Sequence, residues 1–141
     1  MAIAAAPLGI LLIEDNPSDA RLMLEALRDS EFDENVRIAR DGVDAMLQLR
    51  DESQALPDLI LLDLNLPRKD GREVLDDIKR DKLLRHIPVV VLSTSRNEQD
   101  VRSSYEHGAN AFLSKPTEME DLYQTARVLR AFWTEAKLWR P

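Results

Sequence analysis

Leu59-Ile60-Leu61-Leu62-Asp63-Leu64-Asn65-Leu66-Pro67 decides how this 141-residue chain is read. Four aliphatic side chains run without a polar break into an aspartate, and Pro57 and Pro67 bracket the run. A strand with one wet face alternates apolar and polar residues. An unbroken apolar run marks a strand covered on both faces, as in a parallel sheet held between helices. Asp63 falls where that strand leaves the core. Ligands of open α/β sheets bind beyond the carboxyl ends of the strands, so Asp63 is a candidate reactive group whose meaning depends on its neighbours.

Outward from that strand the pattern repeats. Leu8 to Ile13 is a short apolar strand ending in Glu14-Asp15, and Asn16 or Ser18 can cap the helix that follows, with Pro17 in its first turn. Ala20, Met23, Leu24 and Leu27 recur at helical spacing to about Ser30. Val36 to Ala39 alternates as a second strand, Asp41-Gly42 reads as a turn, and Val43, Ala45, Met46 and Leu49 mark a second helix. After the Asp63 strand and the loop Pro67 to Gly71, a third helix runs from about Arg72 to Asp81. Ile87 to Leu92 is a fourth strand leading into a polar loop, Ser93-Thr94-Ser95. A weakly amphipathic helix through Asp100, Val101, Ser104 and Tyr105 stops at Gly108. Ala111-Phe112-Leu113 is a fifth strand ending at Ser114-Lys115-Pro116, and Thr117 with Glu120 makes a capping-box pattern for the last helix. Five strands alternating with five helices predict an α/β domain: a parallel sheet, right-handed crossovers and helices on both faces.

Composition narrows the function. With 26 acidic against 19 basic side chains the net charge is −7, which excludes the basic patches that direct nucleic-acid binding needs. No cysteine is present, so disulfides, thiolate metal sites and cysteine nucleophiles are excluded. The opening Met1 to Pro7 is apolar but has no basic n-region, and its run meets Glu14 and Asp15 in the first core strand, which is unlike a signal peptide. No segment approaches the roughly 18 to 20 apolar residues of a membrane span. The expected setting is cytoplasmic, with no membrane and no nucleic-acid partner. His86 and His107 read as solvated residues too far apart to form a metal site.

In a parallel sheet the carboxyl ends of all strands share one edge, so Glu14, Asp15, Asp63, Ser93 and Lys115 converge. Three carboxylates crowded together raise one another's pKa unless a cation sits among them. An oxygen-rich, sulfur-free set suits Mg²⁺. Lys115 supplies a mobile cation and Ser93 a hydroxyl. A carboxylate beside a divalent ion, a lysine and a hydroxyl is suited to accept a phosphoryl group, with Asp63 attacking in line.

Glu14-Asp15, Asp63 with Leu64-Asn65-Leu66-Pro67 and Asp70-Gly71, Ser93-Thr94-Ser95, Gly108-Ala109-Asn110-Ala111-Phe112 and Lys115-Pro116, in that order, resemble the receiver domain of two-component response regulators over about residues 8–130. The resemblance implies a doubly wound (βα)₅ sandwich with strand order 2-1-3-4-5. It implies Asp63 as phosphoacceptor and Mg²⁺ held by Glu14, Asp15, Asp63 and the backbone carbonyl of Asn65. Ser93 and Lys115 would contact the phosphoryl group, Phe112 would take the aromatic switch position with Ser93, and Lys115-Pro116 is often a cis bond in the family. A sensor histidine kinase is the implied partner. Three positions depart from the commonest pattern: serine replaces threonine at Ser93, Thr94 stands where a smaller residue is usual, and Phe112 lacks a phenol. The rival enzyme reading, an Mg²⁺-dependent phosphohydrolase with an aspartate nucleophile, expects a second acid at position 65, where Asn65 stands. A pseudo-receiver that only binds partners would not need the intact acid set.

The end of the chain carries more apolar surface than one core needs. Met119, Leu122, Ala126, Leu129 and Trp133 make one helical stripe that can pack on the sheet, while Val128, Phe132, Leu138 and Trp139 widen it. The chain divides into an extension over residues 1–7, the receiver-like domain over 8–130 and a C-terminal extension over 131–141. That extension can fold back over its own domain. The favoured use is a homodimer through Phe132, Trp133, Leu138 and Trp139, because exposed aromatic area marks interfaces. With no output domain in view, the tail resembles the stand-alone regulators that partner bacterial phytochrome kinases.

Overall fold

Five parallel strands lie in the order β2-β1-β3-β4-β5. They belong to a computed structural model that describes residues 9–29, 35–116 and 118–135, Thr134 by its backbone alone. The elements alternate without exception: β1 Ile10–Ile13, α1 Pro17–Asp29, β2 Val36–Ala39, α2 Gly42–Leu49, β3 Leu59–Asp63, α3 Gly71–Arg80, β4 Val89–Ser93, α4 Glu98–Glu106, β5 Ala111–Ser114 and α5 Met119–Glu135. The expected fold class and strand order are those observed. Leu8, Thr117, Leu138, Trp139 and the extension over residues 1–7 lie outside the described residues.

The pleat explains why β3 is apolar throughout. Successive side chains point to opposite faces. Leu59 and Leu61 join Ile10, Leu12, Val90 and Leu92 in a layer closed by α1 and α5, through Ala20, Met23, Ala26, Leu27, Leu122, Ala126 and Leu129. Ile60 and Leu62 join Leu11, Ile13, Val89 and Val91 in the opposite layer, closed by Met46 and Leu49 of α2 and Val74, Leu75 and Ile78 of α3. Every residue of β3 up to Leu62 is fully buried.

Both Asp-Gly pairs are helix starts rather than plain turns. The Asp41 carboxylate accepts the Asp44 N–H at 2.7 Å and the Asp70 carboxylate accepts the Arg72 N–H at 3.2 Å, each satisfying a free donor of the first turn. Asn16 does the same for α1, accepting from Ser18 and Asp19 at 2.9 and 3.1 Å. A Cβ on Gly71 would lie 2.6 Å from the Leu64 carbonyl oxygen and 2.9 Å from that of Asp63. Gly71 thus lets α3 begin directly against the backbone that carries Asp63, and its N–H donates to Leu64 O at 3.0 Å. At the opposite edge Asn110, just before β5, ties the start of β4 to α3, its Oδ1 accepting from Val89 N at 2.9 Å and Lys79 Nζ at 3.1 Å.

Four details differ from the sequence expectation. Ser93 is the last residue of β4, not part of a loop, and is fully buried. His107 is half-buried rather than solvated, with Nδ1 2.7 Å from Asp76 Oδ1, because the end of α4 packs against α3. No cis peptide bond occurs among the described residues, Lys115-Pro116 included. Met119 is exposed, leaving Leu122, Ala126 and Leu129 to bury α5. No helix among the described residues is long and apolar enough to cross a membrane.

Gly71→Ala should lower stability by about 2 kcal/mol, since the new methyl meets main-chain carbonyls that cannot turn aside. Urea unfolding measures it. Unchanged stability would show that the start of α3 is not held against the Asp63 backbone.

Candidate phosphoacceptor site

Three strand ends supply the site because the pleat aims them to one side. Lys115 Nζ is ion-paired with Glu14 Oε1 and lies 3.1 Å from Asp19 Oδ2 and 3.6 Å from Asp63 Oδ2. Lys115 and Asp63 are mostly covered, with side-chain exposures of 14% and 15%. Glu14 is buried, Asp15 exposed. Sequence reasoning brought Glu14, Asp63 and Lys115 together correctly and missed Asp19, a residue in the first turn of α1. The signal was present: Asp19 lies in the first turn of α1, which begins directly beyond the β1 strand edge.

Burial and charge compete at Glu14. Desolvation is the largest influence, and a hydrogen bond and repulsion from Asp63 add to it; Lys115 pulls the other way but less strongly. The Glu14 carboxyl is pushed up to about 7 despite its ion pair. Burial also works against the Lys115 ammonium. Its hydrogen bond and attraction to Glu14, with help from Asp63 and Asp19, outweigh burial and hold its pKa above that of an ordinary lysine.

Glu14, Asp15 and Asp63 each offer a carboxylate oxygen, all within 4.8 Å of one another. Hard oxygen donors without sulfur or imidazole fit a divalent ion of the Mg²⁺ or Mn²⁺ kind, and not a thiolate-seeking one. The Asn65 N–H donates to Asp63 Oδ1 at 3.2 Å, fixing the carboxylate from the loop side. A cleft of about 240 Å³ opens above these groups, with Thr94, Met119 and Leu122 among its walls. That is below the ~300 Å³ where pockets for drug-sized ligands begin and suits a group the size of a phosphoryl.

Ser93 and Phe112 stand apart from this cluster. Ser93 points with Val89 and Val91 rather than with Asp63, and its Oγ accepts the Ser95 N–H at 3.1 Å. Thr94, not Ser93, lines the cleft. Phe112 is half-buried against the α2–α3 layer, and its N–H donates to Tyr105 Oη at 3.1 Å. On α5 Phe132 is 63% exposed and meets Trp133 edge-on, ring centroids 4.9 Å apart, while Trp133 packs on the α1–α5 layer.

Known proteins share this fold. Residues 10–127 match the response regulator receiver domain family. Response regulator Rcp1 of Synechocystis sp. (strain ATCC 27184 / PCC 6803 / Kazusa) is 48% identical over 133 residues, covering 92% of this chain and 90% of Rcp1. A crystal structure of the phosphorylated cyanobacterial phytochrome response regulator RcpA superposes with a TM-score of 0.88 at 48% identity, covering 94% of this chain and 99% of that one. The crystal structure of the Mn(2+)-bound form of Rcp1 superposes with a TM-score of 0.83 at the same identity and coverage.

The raised Glu14 pKa gives stability a sign. Between pH 4.5 and 7 the unfolded chain releases this proton while the folded chain keeps it, so folded stability falls as pH rises through that window. With divalent ions chelated, urea unfolding should show wild-type stability falling relative to Glu14→Gln by up to about 1.4 kcal/mol per pH unit. Parallel pH profiles for the two proteins would contradict the burial argument.

Proposed function

The chain belongs to the response regulator receiver domain family, and from that premise we propose that Asp63 accepts a phosphoryl group from the phosphohistidine of a sensor kinase. The observation that carries the reading is the Lys115 ammonium 3.6 Å from Asp63, beside an acid cluster of metal-binding geometry. An Asp63 carboxylate oxygen bonds to phosphorus as the P–N bond to the kinase imidazole breaks, and the ring, already protonated on its other nitrogen, leaves as neutral imidazole. The Asn65 N–H holds the attacking carboxylate in orientation. Lys115 offsets the charge that gathers on the phosphoryl oxygens, turning from Glu14 and Asp19 as it does so. Mg²⁺, held by Glu14, Asp15, Asp63 and the carbonyl of Asn65, would neutralise charge on the same oxygens.

The reading is one of signalling rather than turnover. Position 65 carries an amide where a hydrolase would place its second acid. On phosphorylation Ser93 moves towards the phosphoryl group and Phe112 follows, changing the face built from α4, β5 and α5. That face passes the signal by protein contact, or the phosphoryl group is passed on in a relay. The likeness to a phytochrome response regulator favours a bacterial phytochrome kinase as the cognate sensor. Val128 and Phe132, 54% and 63% exposed on the outer side of α5, favour a homodimer through that helix, with Trp133 buttressing Phe132.

Incubation with Mg²⁺ and acetyl phosphate, or with a sensor kinase, should label the wild type and leave Asp63→Asn unlabelled; equal labelling removes Asp63 from its role. Sedimentation tests the dimer separately. Val128→Lys combined with Phe132→Lys should shift the mass from dimer to monomer, and an unchanged mass would sink the α5 interface.

A further inference from the structure

Helices α3 and α4 are joined at their N-terminal ends by a chain of polar contacts that reaches Ser93. Arg72, the second residue of α3, donates Nη2 to Asp100 Oδ1 at 2.8 Å, Nε to Ser103 Oγ at 3.1 Å and Nη1 to Asp70 Oδ2 at 3.2 Å. Three directions of the guanidinium fork are thereby fixed. Asp100 uses its other oxygen to accept the Ser95 hydroxyl at 2.5 Å. The Ser95 N–H in turn donates to Ser93 Oγ at 3.1 Å. The Arg72 and Asp100 side chains are 26% and 29% exposed, so the pair is screened less than an open surface pair. Arg72, Asp100 and Ser103 lie outside the cleft above Asp63, and the phosphoryl chemistry derived above makes no use of them.

The contacts oppose one particular movement. Ser93 is fully buried and its hydroxyl oxygen is engaged by its own loop. Ser93 points with Val89 and Val91 and away from Asp63, so bringing its hydroxyl to a phosphoryl group on Asp63 requires the segment from Ser93 to the start of α4 to shift. Ser95 and Asp100 tie that segment to Arg72, the second residue of a helix packed closely against the Asp63 and Leu64 carbonyls through Gly71.

We propose that Arg72 is a positioning residue for Ser93. Acting through Asp100 and Ser95, it holds the β4–α4 segment in the unphosphorylated arrangement and so weakens the site's hold on a phosphoryl group. The inference rests on the phosphoacceptor reading of Asp63. Linkage gives the sign: a contact made only in the resting arrangement lowers affinity for any ligand that requires the other one, and removing the contact restores that affinity.

Beryllium fluoride in Mg²⁺, as a mimic of the phosphoryl group, tests this with the full chain. Arg72→Met should bind the mimic about fivefold tighter, equivalent to about 1 kcal/mol of coupling. Asp100→Asn should give a similar gain, and the two together no more than either alone. Mg²⁺ affinity without the mimic should stay within twofold, a separation that a general loss of packing would not produce. In a Ser93→Ala background the gain from Arg72→Met should vanish. Equal mimic affinity in the wild type and both single variants overturns the proposal, as does a gain that survives Ser93→Ala. Should Arg72→Met fail to fold, Asp100→Asn tests the same link from its other end. A wild type that does not bind the mimic at all defeats the phosphoacceptor reading itself, an outcome distinct from a wild type that binds with no change on substitution.

Discussion

The sheet edge gathers Glu14, Asp15, Asp19 and Asp63 around one ammonium, and the rest of the structure depends on that imbalance. Lys115 alone cannot neutralise the set, and burial denies Glu14 the water that would otherwise screen it. The protein answers by keeping the Glu14 pKa near 7 and by holding Lys115 charged. Both responses lower the negative charge at the edge, and so favour a dianionic group that a naked cluster of carboxylates would repel. The hydrophobic layers behind the edge make this possible. Strands buried on both faces give Glu14 and Asp63 no freedom to drift apart and relieve their repulsion.

Rigidity is unevenly shared. β1, β3 and β4 are buried along their length, whereas β5 is half-covered and α4 buries only Ser104 among its residues. The proposed metal ligands and phosphoacceptor come from the stiff side, β1 and β3. Ser93 and Phe112, on β4 and β5, border the loosely packed side, where few buried contacts oppose a shift. Thr94 forms part of the cleft wall and narrows the approach to Asp63. The side of the sheet that holds the proposed reacting groups and the side that holds the proposed switch residues thus differ in packing density.

Much of this was legible in the sequence, and the reason is local. The run Leu59 to Leu62 declares two-sided burial by itself, and alternation of strands with helices leaves few topologies open, so strand-end residues meet whatever their separation in the chain. Local pattern also misled. Asp41-Gly42 and Asp70-Gly71 carry turn composition, yet each aspartate caps a helix and each glycine lets that helix sit close to a neighbouring backbone. Side-chain pairs across helices were not legible at all. Arg72 with Asp100, and His107 with Asp76, join residues 28 and 31 apart, and nothing in either helix's own periodicity names the partner. Ser93 was placed in a loop because serine is rare in a buried strand; its oxygen is tolerated there because the Ser95 N–H satisfies it.

The position of Arg72 links the two halves of the molecule. Gly71 presses the start of α3 against the Asp63 and Leu64 carbonyls, leaving no gap that could absorb a movement. The next residue, Arg72, reaches across to Asp100 and so makes α4 lean on the same stretch of backbone that holds Asp63. A change at Asp63 can therefore reach α4 by two routes, through Ser93 and Ser95 on one side and through Gly71 and Arg72 on the other, and both meet at Asp100. One aspartate with an oxygen committed to each route is well placed to make α4 respond to the two together. On the proposal above, the Ser95 contact on Oδ2 couples the segment that carries Ser93 to the Arg72 contact on Oδ1, so the two contacts together oppose its movement.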